Sequence, residues 1–235
     1  MLSVTGLEKR YGAVDAVADI SFDLEPGSMA VLVGRSGSGK TTLLRCLNGL
    51  ERPDSGTIRL EGEPLGRTDA ALIFQEGALL DGKSALENVL DGGLARESAW
   101  RELLGWHTAA EKRAAIERLH AVDLAGCAQQ RVGDLSGGER QRVGIARALH
   151  QEPRVLLADE PVASLDPVTA RAVLERLASV VRREDLVGLV SLHQPRLAGE
   201  IADRYLGLAD GRLTLDAAAA DVDPERIGEV YNVPA

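Results

Sequence analysis

Three short segments of this chain carry side chains suited to chemistry on phosphate. The first is Gly34-Arg35-Ser36-Gly37-Ser38-Gly39-Lys40-Thr41, which fits G-x-x-x-x-G-K-[ST]. Glycines let the backbone turn so that successive N–H groups point inward, and a following helix aims its positive end at the same spot. Lys40 supplies a cation for the β- and γ-phosphates of a nucleotide, and Thr41 a hydroxyl for Mg²⁺, with Thr42 next in line. The bland alternative is a Gly/Ser-rich turn with an exposed lysine, and the match of both motif and context weighs against it. The second segment, Val155-Leu156-Leu157-Ala158-Asp159-Glu160, places two acids at the end of an apolar run. Adjacent strand residues point opposite ways, so the acids should have different tasks. Asp159 suits the Mg²⁺ shell, and Glu160, just past the strand, suits proton removal from an attacking water. Alone the pair reads equally as an acidic strand end meeting solvent. The third, Leu135-Ser136-Gly137-Gly138-Glu139, opens a helix that Ser136 can cap, with glycines that let an anion approach the backbone.

These segments need a scaffold. Leu2 to Leu7, Val14 to Ala18 and Ile20 to Leu24 alternate as strands of a half-exposed antiparallel sheet. Ser28 to Val33 is a compact apolar run, read as a buried strand feeding the phosphate loop. Leu43, Leu44, Leu47 and Leu50 then share one helical face. Thr57 to Leu60 is a further strand. Ser84 to Leu90, Glu97 to Leu104 and Ala109 to Val122 read as helices, the last with Ile116 and Leu119 facing one way. An α/β rhythm then returns: Val155 to Ala158 a strand, Val168 to Val181 a helix, Leu186 to Leu192 a strand. Tyr205 to Leu208 and Leu213 to Leu215 form a hairpin through Asp210-Gly211. A short helix near Pro224 to Tyr231 follows. The fold class expected is α/β: a phosphate-loop core, an N-terminal antiparallel β subdomain and an inserted α-helical subdomain.

The composition sets limits. A chain of 235 residues holds one large domain or a core with a subdomain. Aromatics are only 3%, so the core must rest on Leu, Val, Ile and Ala. A formal net charge of -9 argues against a broad, sequence-blind nucleic-acid surface. Cys46 and Cys127 have no metal or redox spacing and read as reduced thiols of a cytosolic protein. The N-terminus has no apolar signal region, and no apolar run approaches the ~20 residues of a membrane span. Work at a membrane would go through a partner.

The Leu135 to Glu139 pentapeptide, lying between the phosphate loop and the carboxylate strand, resembles the signature of ABC ATPases. Other elements fall in the family's order. Tyr11 matches the aromatic that stacks on adenine, Gln75 the Q-loop glutamine, Ser164-Leu165-Asp166 the D-loop, and His193 the switch histidine. Each has a plainer reading alone, such as Tyr11 packing the first sheet or Asp166 capping the helix that begins at Pro167. The resemblance covers essentially the whole chain. It implies a single domain, 1–235, with an ATP-binding core of 1–75 and 150–235 and a helical, signature-bearing subdomain of about 76–149.

The resemblance further implies a head-to-tail homodimer. Each ATP would lie between one chain's phosphate loop and the other's Ser136, Gly137 and Gly138. Glu160 would activate water, His193 would contact the γ-phosphate, and Gln75 would ligate Mg²⁺ and link the site to the helical subdomain. Integral membrane permease subunits would be moved, and a solute-binding protein would act indirectly. The expected place is peripheral, on the cytoplasmic face of the cell membrane. Asn88-Val89-Leu90-Asp91-Gly92-Gly93-Leu94, Trp100-Arg101-Glu102-Leu103-Leu104-Gly105, the run Arg140 to Leu149 and Leu192-His193-Gln194-Pro195 are similar to the ATP-binding subunits of phosphonate importers, whose relatives take up other phosphorus oxyanions. Three departures stand out. Glu61 to Ala71 is short, Gln75-Glu76-Gly77-Ala78 is unusual, and Arg35 is bulky for a phosphate loop. The alternatives are an importer subunit for another small solute, a soluble ABC ATPase of DNA repair, chromosome maintenance or translation, and a phosphate-loop kinase. No long heptad run and no second phosphate loop favour the soluble class, and the signature argues against the kinase.

Overall fold

A computed structural model describes residues 1–74, 79–93, 107–193, 197 and 199–222. Two sheets organise them. The N-terminal alternation forms β1 (Leu2–Tyr11) and β2 (Val14–Leu24), which join β4 (Ser55–Leu60) and the two-residue β5 (Glu63–Pro64) in an antiparallel sheet of order β2-β1-β4-β5. The sequence suggests two strands where β2 is one. Asp19 interrupts it with φ 55, and the pairs Leu7↔Ile20 and Lys9↔Val17 leave one extra residue on β2. That is a β-bulge, and it bends the strand without ending it.

The second sheet contains β3 (Met29–Val33), β6 (Ala70–Ile73), β7 (Val155–Asp159), β8 (Val187–Ser191), β9 (Arg204–Ala209) and β10 (Arg212–Ala218) in the order β10-β9-β3-β8-β7-β6. All neighbours are parallel except the β9–β10 hairpin. Both faces are covered. Along β3, Met29, Val31 and Val33 join one apolar cluster, while Ala30 and Leu32 join the other. That alternation explains why the strand reads as a continuous apolar run.

The described residues hold five α-helices, α1 (Lys40–Asn48), α2 (Ala85–Gly92), α3 (Ala109–Ala121), α4 (Gly137–His150) and α5 (Pro167–Arg183); α1, α4 and α5 pack on the second sheet, and α2 and α3 pack on α4. Leu43, Leu44 and Leu47 of α1 are buried against the second cluster, as their spacing requires. Leu50 departs from that face and is exposed, because Gly49 ends the helix in a left-handed turn. In α3 the buried pair is Ala115 and Leu119, and Ile116 points outward instead of sharing their face. The short Glu61 to Ala71 connection is spanned by β5 and a turn in which Gly66 N donates to Asp69 Oδ2 at 2.8 Å. The expected helices at Glu97 to Leu104 and Pro224 to Tyr231 lie outside the described residues. None of the described helices is long and apolar enough to cross a membrane.

Candidate functional site

The phosphate loop runs from the C-terminal end of β3 into α1. Gly34 has φ 155, and a Cβ there would stand 2.3 Å from the carbonyl oxygen of Leu208. Gly39 has φ 103, and its Cβ would stand 2.1 Å from the oxygen of Ala16. Only glycine fits either place. Gly39 precedes α1 without any side-chain cap, so the helix's first N–H groups face the cleft. The Lys40 ammonium is buried and donates to the carbonyls of Gly34 at 2.7 Å and Arg35 at 2.9 Å. Burial pushes its pKa down, opposed by the charges of Glu160 and Asp159. Ser38 Oγ is buried with no hydrogen-bond partner among the described residues.

A cleft of about 350 Å³ opens above the loop. Ser36, Gly37, Gly39, Lys40, Thr41, Thr42 and Glu160 line it. The remaining walls are Val14–Ala16 from the start of β2 and Asp210 and Gly211 from the β9–β10 turn. Sequence reasoning did not place those residues at the site. The turn braces the loop, since Gly211 N donates to Ser38 O at 3.1 Å while Gly211 O accepts from Ala18 N at 2.8 Å. In sequence, Asp210-Gly211 signals a turn and gives no sign of what the turn touches.

The carboxylates stand where β7 ends. Ser191, fully buried at the end of β8, donates from its hydroxyl to Asp159 Oδ1 at 2.8 Å and accepts from Glu160 N at 2.9 Å. Glu160 has φ 50, a left-handed conformation that turns the chain just past the strand. Its Oε1 meets Nε2 of His193 at 2.6 Å. Asp159 keeps one oxygen beyond the reach of that hydroxyl bond, and the hydroxyl of Thr41 belongs to the neighbouring cleft wall. These are hard oxygen donors of the kind Mg²⁺ takes. Among the described residues no cluster of three or more His, Cys, Asp and Glu side chains could hold a metal unaided.

Other expected residues lie apart from this cleft. Ser136 caps α4 in a reciprocal capping box with Glu139, and none of Ser136, Gly137 and Gly138 lines the cleft. They sit instead beside the start of α5: a Cβ on Gly138 would stand 2.4 Å from Thr169 Cγ2, and one on Gly137 3.0 Å from Leu165 Cδ2. Asp166 caps α5, accepting from the N–H groups of Val168 and Thr169, with Pro167 following it. Tyr11 ends β1 half-exposed, with the Lys9 ammonium 5.4 Å from its ring centroid. Desolvation and the Glu51 carboxylate raise the Tyr11 pKa. Gln75 lies outside the described residues. Cys46 is buried, and burial lifts its thiol to about 11, leaving it unreactive.

A sequence profile described as ABC transporter matches residues 17–163. The chain belongs to the ABC transporter family. This ABC ATPase is 69% identical over 232 residues to a phosphonates import ATP-binding protein of Natronomonas pharaonis, covering 99% of this chain and 100% of that one. A protein of the same name from Halobacterium salinarum is 45% identical over 98% of this chain and 83% of its own length. A hypophosphite import ATP-binding protein of Stutzerimonas stutzeri is 42% identical over 100% of this chain and 72% of its own. The fold matches a nucleotide-free ATP-binding cassette from an ABC transporter with TM-score 0.86 at 23% identity, over 100% of this chain and 96% of that one. It also matches a dimeric cassette in a post-hydrolysis state bound to ADP and Pi, with TM-score 0.78 at 26% identity, over 93% and 99% of the two chains.

Proposed function

We propose that this ABC ATPase hydrolyses ATP to drive uptake of phosphonate or a related phosphorus oxyanion through a separate membrane permease, working on the cytoplasmic face of the membrane. The observation that carries the reading is end-to-end identity of 69% with a phosphonates import ATP-binding protein, joined to a cleft with the parts ATP hydrolysis needs. Similarity to a hypophosphite import protein keeps the substrate class at phosphorus oxyanions.

In this reading the bare start of α1 and the loop N–H groups bind the β- and γ-phosphates, and Lys40 neutralises charge that grows on them. Gly34 to Thr42 cradle the phosphates, and Tyr11 stacks on the base. Thr41, Asp159 and Gln75 would hold Mg²⁺, which supplies charge neutralisation at the phosphates. Glu160 orients the attacking water and takes its proton, with His193 fixing the Glu160 carboxylate and reaching toward the γ-phosphate. Ser136, Gly137, Gly138 and Asp166 belong to the half-site offered to a second copy. ATP then favours the closed pair over the open one, and hydrolysis removes that preference. In the same reading the single domain has a core of 1–75 and 150–235 that would build the cleft and a helical subdomain of about 76–149 that would carry the signature.

The test is capture. Tagged Glu160→Gln protein is incubated with Mg-ATP and gently solubilised native membranes, and its companions are identified. A polytopic permease is expected, and its associated binding protein should bind phosphonates or phosphite in titration. Repeated recovery of soluble or nucleic-acid-bound partners alone would overturn the transport reading.

A further inference from the structure

Ser191 occupies a place that neither the phosphate loop nor the carboxylate motif explains. It is a buried polar residue on an otherwise apolar strand, with 0% exposure. Its register partner on β7 is Asp159. A carboxylate only accepts and a backbone N–H only donates, so the direction of both Ser191 bonds is fixed. The chain runs from Glu160 N–H to the hydroxyl oxygen and from the hydroxyl proton to Asp159 Oδ1. Bonds in such a series polarise one another in a dry setting.

We infer that Ser191 is a positioning residue for ATP hydrolysis: its hydroxyl fixes the rotamer of the Asp159 carboxylate and the peptide that carries Glu160. This inference rests on the ATPase reading above. Geometry supports each part. The bond to Oδ1 selects which Asp159 oxygen remains for Mg²⁺ and its waters, the task of a residue standing behind a metal ligand. The bond to Glu160 N holds the peptide that precedes the left-handed turn at φ 50, a conformation glutamate adopts at a cost. The next residue, Leu192, donates its N–H to Leu32 O of β3 at 3.2 Å. Two residues beyond Ser191, His193 meets the Glu160 carboxylate. The short segment 191–193 therefore ties the strand that delivers the phosphate loop to both acids. β8 lies between β3 and β7, so its end stands next to both.

Ser191→Ala removes both bonds, and Ser191→Cys keeps similar volume with a far weaker donor. ATP turnover, its half-saturation by Mg²⁺, and binding of a fluorescent ATP analogue in EDTA are measured for both variants and the wild-type protein. Both variants should lose roughly 10–100-fold in turnover or in apparent Mg²⁺ affinity, the range typical of residues behind a metal ligand. Their Mg²⁺-free analogue binding should stay at the wild-type level. Wild-type turnover and Mg²⁺ response in Ser191→Ala would overturn the inference. So would full activity in Ser191→Cys, because volume and not the hydroxyl would then be what matters. Equal loss of Mg²⁺-free binding would show a merely structural role. If the wild-type protein itself fails to hydrolyse ATP, the ATPase reading fails instead.

Discussion

Glu160 is held by two contacts of different kinds. Its backbone N–H is bound by Ser191, and its side chain meets His193 at 2.6 Å. The left-handed turn takes it out of the strand's strict alternation, in which neighbouring residues face apart, and Glu160 lines the cleft. Replacement by glutamine preserves the size and the hydrogen bond to His193 but removes the carboxylate proposed as the base. ATP turnover of Glu160→Gln should fall roughly 10²–10⁴-fold, the usual worth of a positioned general base. Binding of Mg-ATP should persist. Turnover within a few-fold of the wild type, measured by phosphate release, would take Glu160 out of the proposed role.

Between elements, the junction of α4 and α5 is unusually close. Gly138 lies on the first turn of α4, where a Cβ would stand 2.4 Å from Thr169 Cγ2, so a side chain there requires Thr169 to shift. Glycine at this point therefore serves packing as well as any approach of phosphate. Gly138→Ala should destabilise the fold by about 1–3 kcal/mol through overpacking. Thermal unfolding would then fall by about 2–4 °C per kcal/mol for a chain of this size. Adding Thr169→Ser removes the offending methyl and should recover most of the loss. Failure of that pair to recover stability would mean that the Thr169 contact is not the cause. The capping box of Ser136 and Glu139 fixes where α4 begins, and so fixes the height at which Gly138 meets its neighbour.

At the scale of the molecule, the cleft and the signature face different surroundings. Ser136 and Gly137 are exposed, as are Asp166 and Val168, the last at 80%. An exposed branched apolar residue beside the exposed start of the signature helix suits a surface that is covered in an assembly. In the proposed head-to-tail pair this surface closes the cleft of the second copy. Glu160→Gln with Mg-ATP should therefore sediment as a dimer and return to monomer with ADP. Adding Ser136→Glu places negative charge where the γ-phosphate should arrive and should abolish the dimer while leaving single-chain ATP binding intact. A dimer that survives that change would rule out the signature as the covering surface.

The sequence by itself determined the phosphate loop, the acids after an apolar run, the capped starts of α4 and α5, and the α/β rhythm that orders them. Those features are local. A turn, a cap or a helical face is decided by residues a few positions apart, so it survives in the chain as spacing. The family resemblance added Tyr11, Gln75 and His193, whose types alone would say little. Tertiary structure decided what depends on strand order. It set β8 between β3 and β7, which brings Ser191 to Asp159 across 32 positions of chain. It folded Val14–Ala16 and Asp210-Gly211 into the walls of the same cleft. It also turned Ile116 outward, where periodicity had set it on one face with Leu119. Local spacing could not reveal these, because each depends on which distant segment supplies the neighbouring surface.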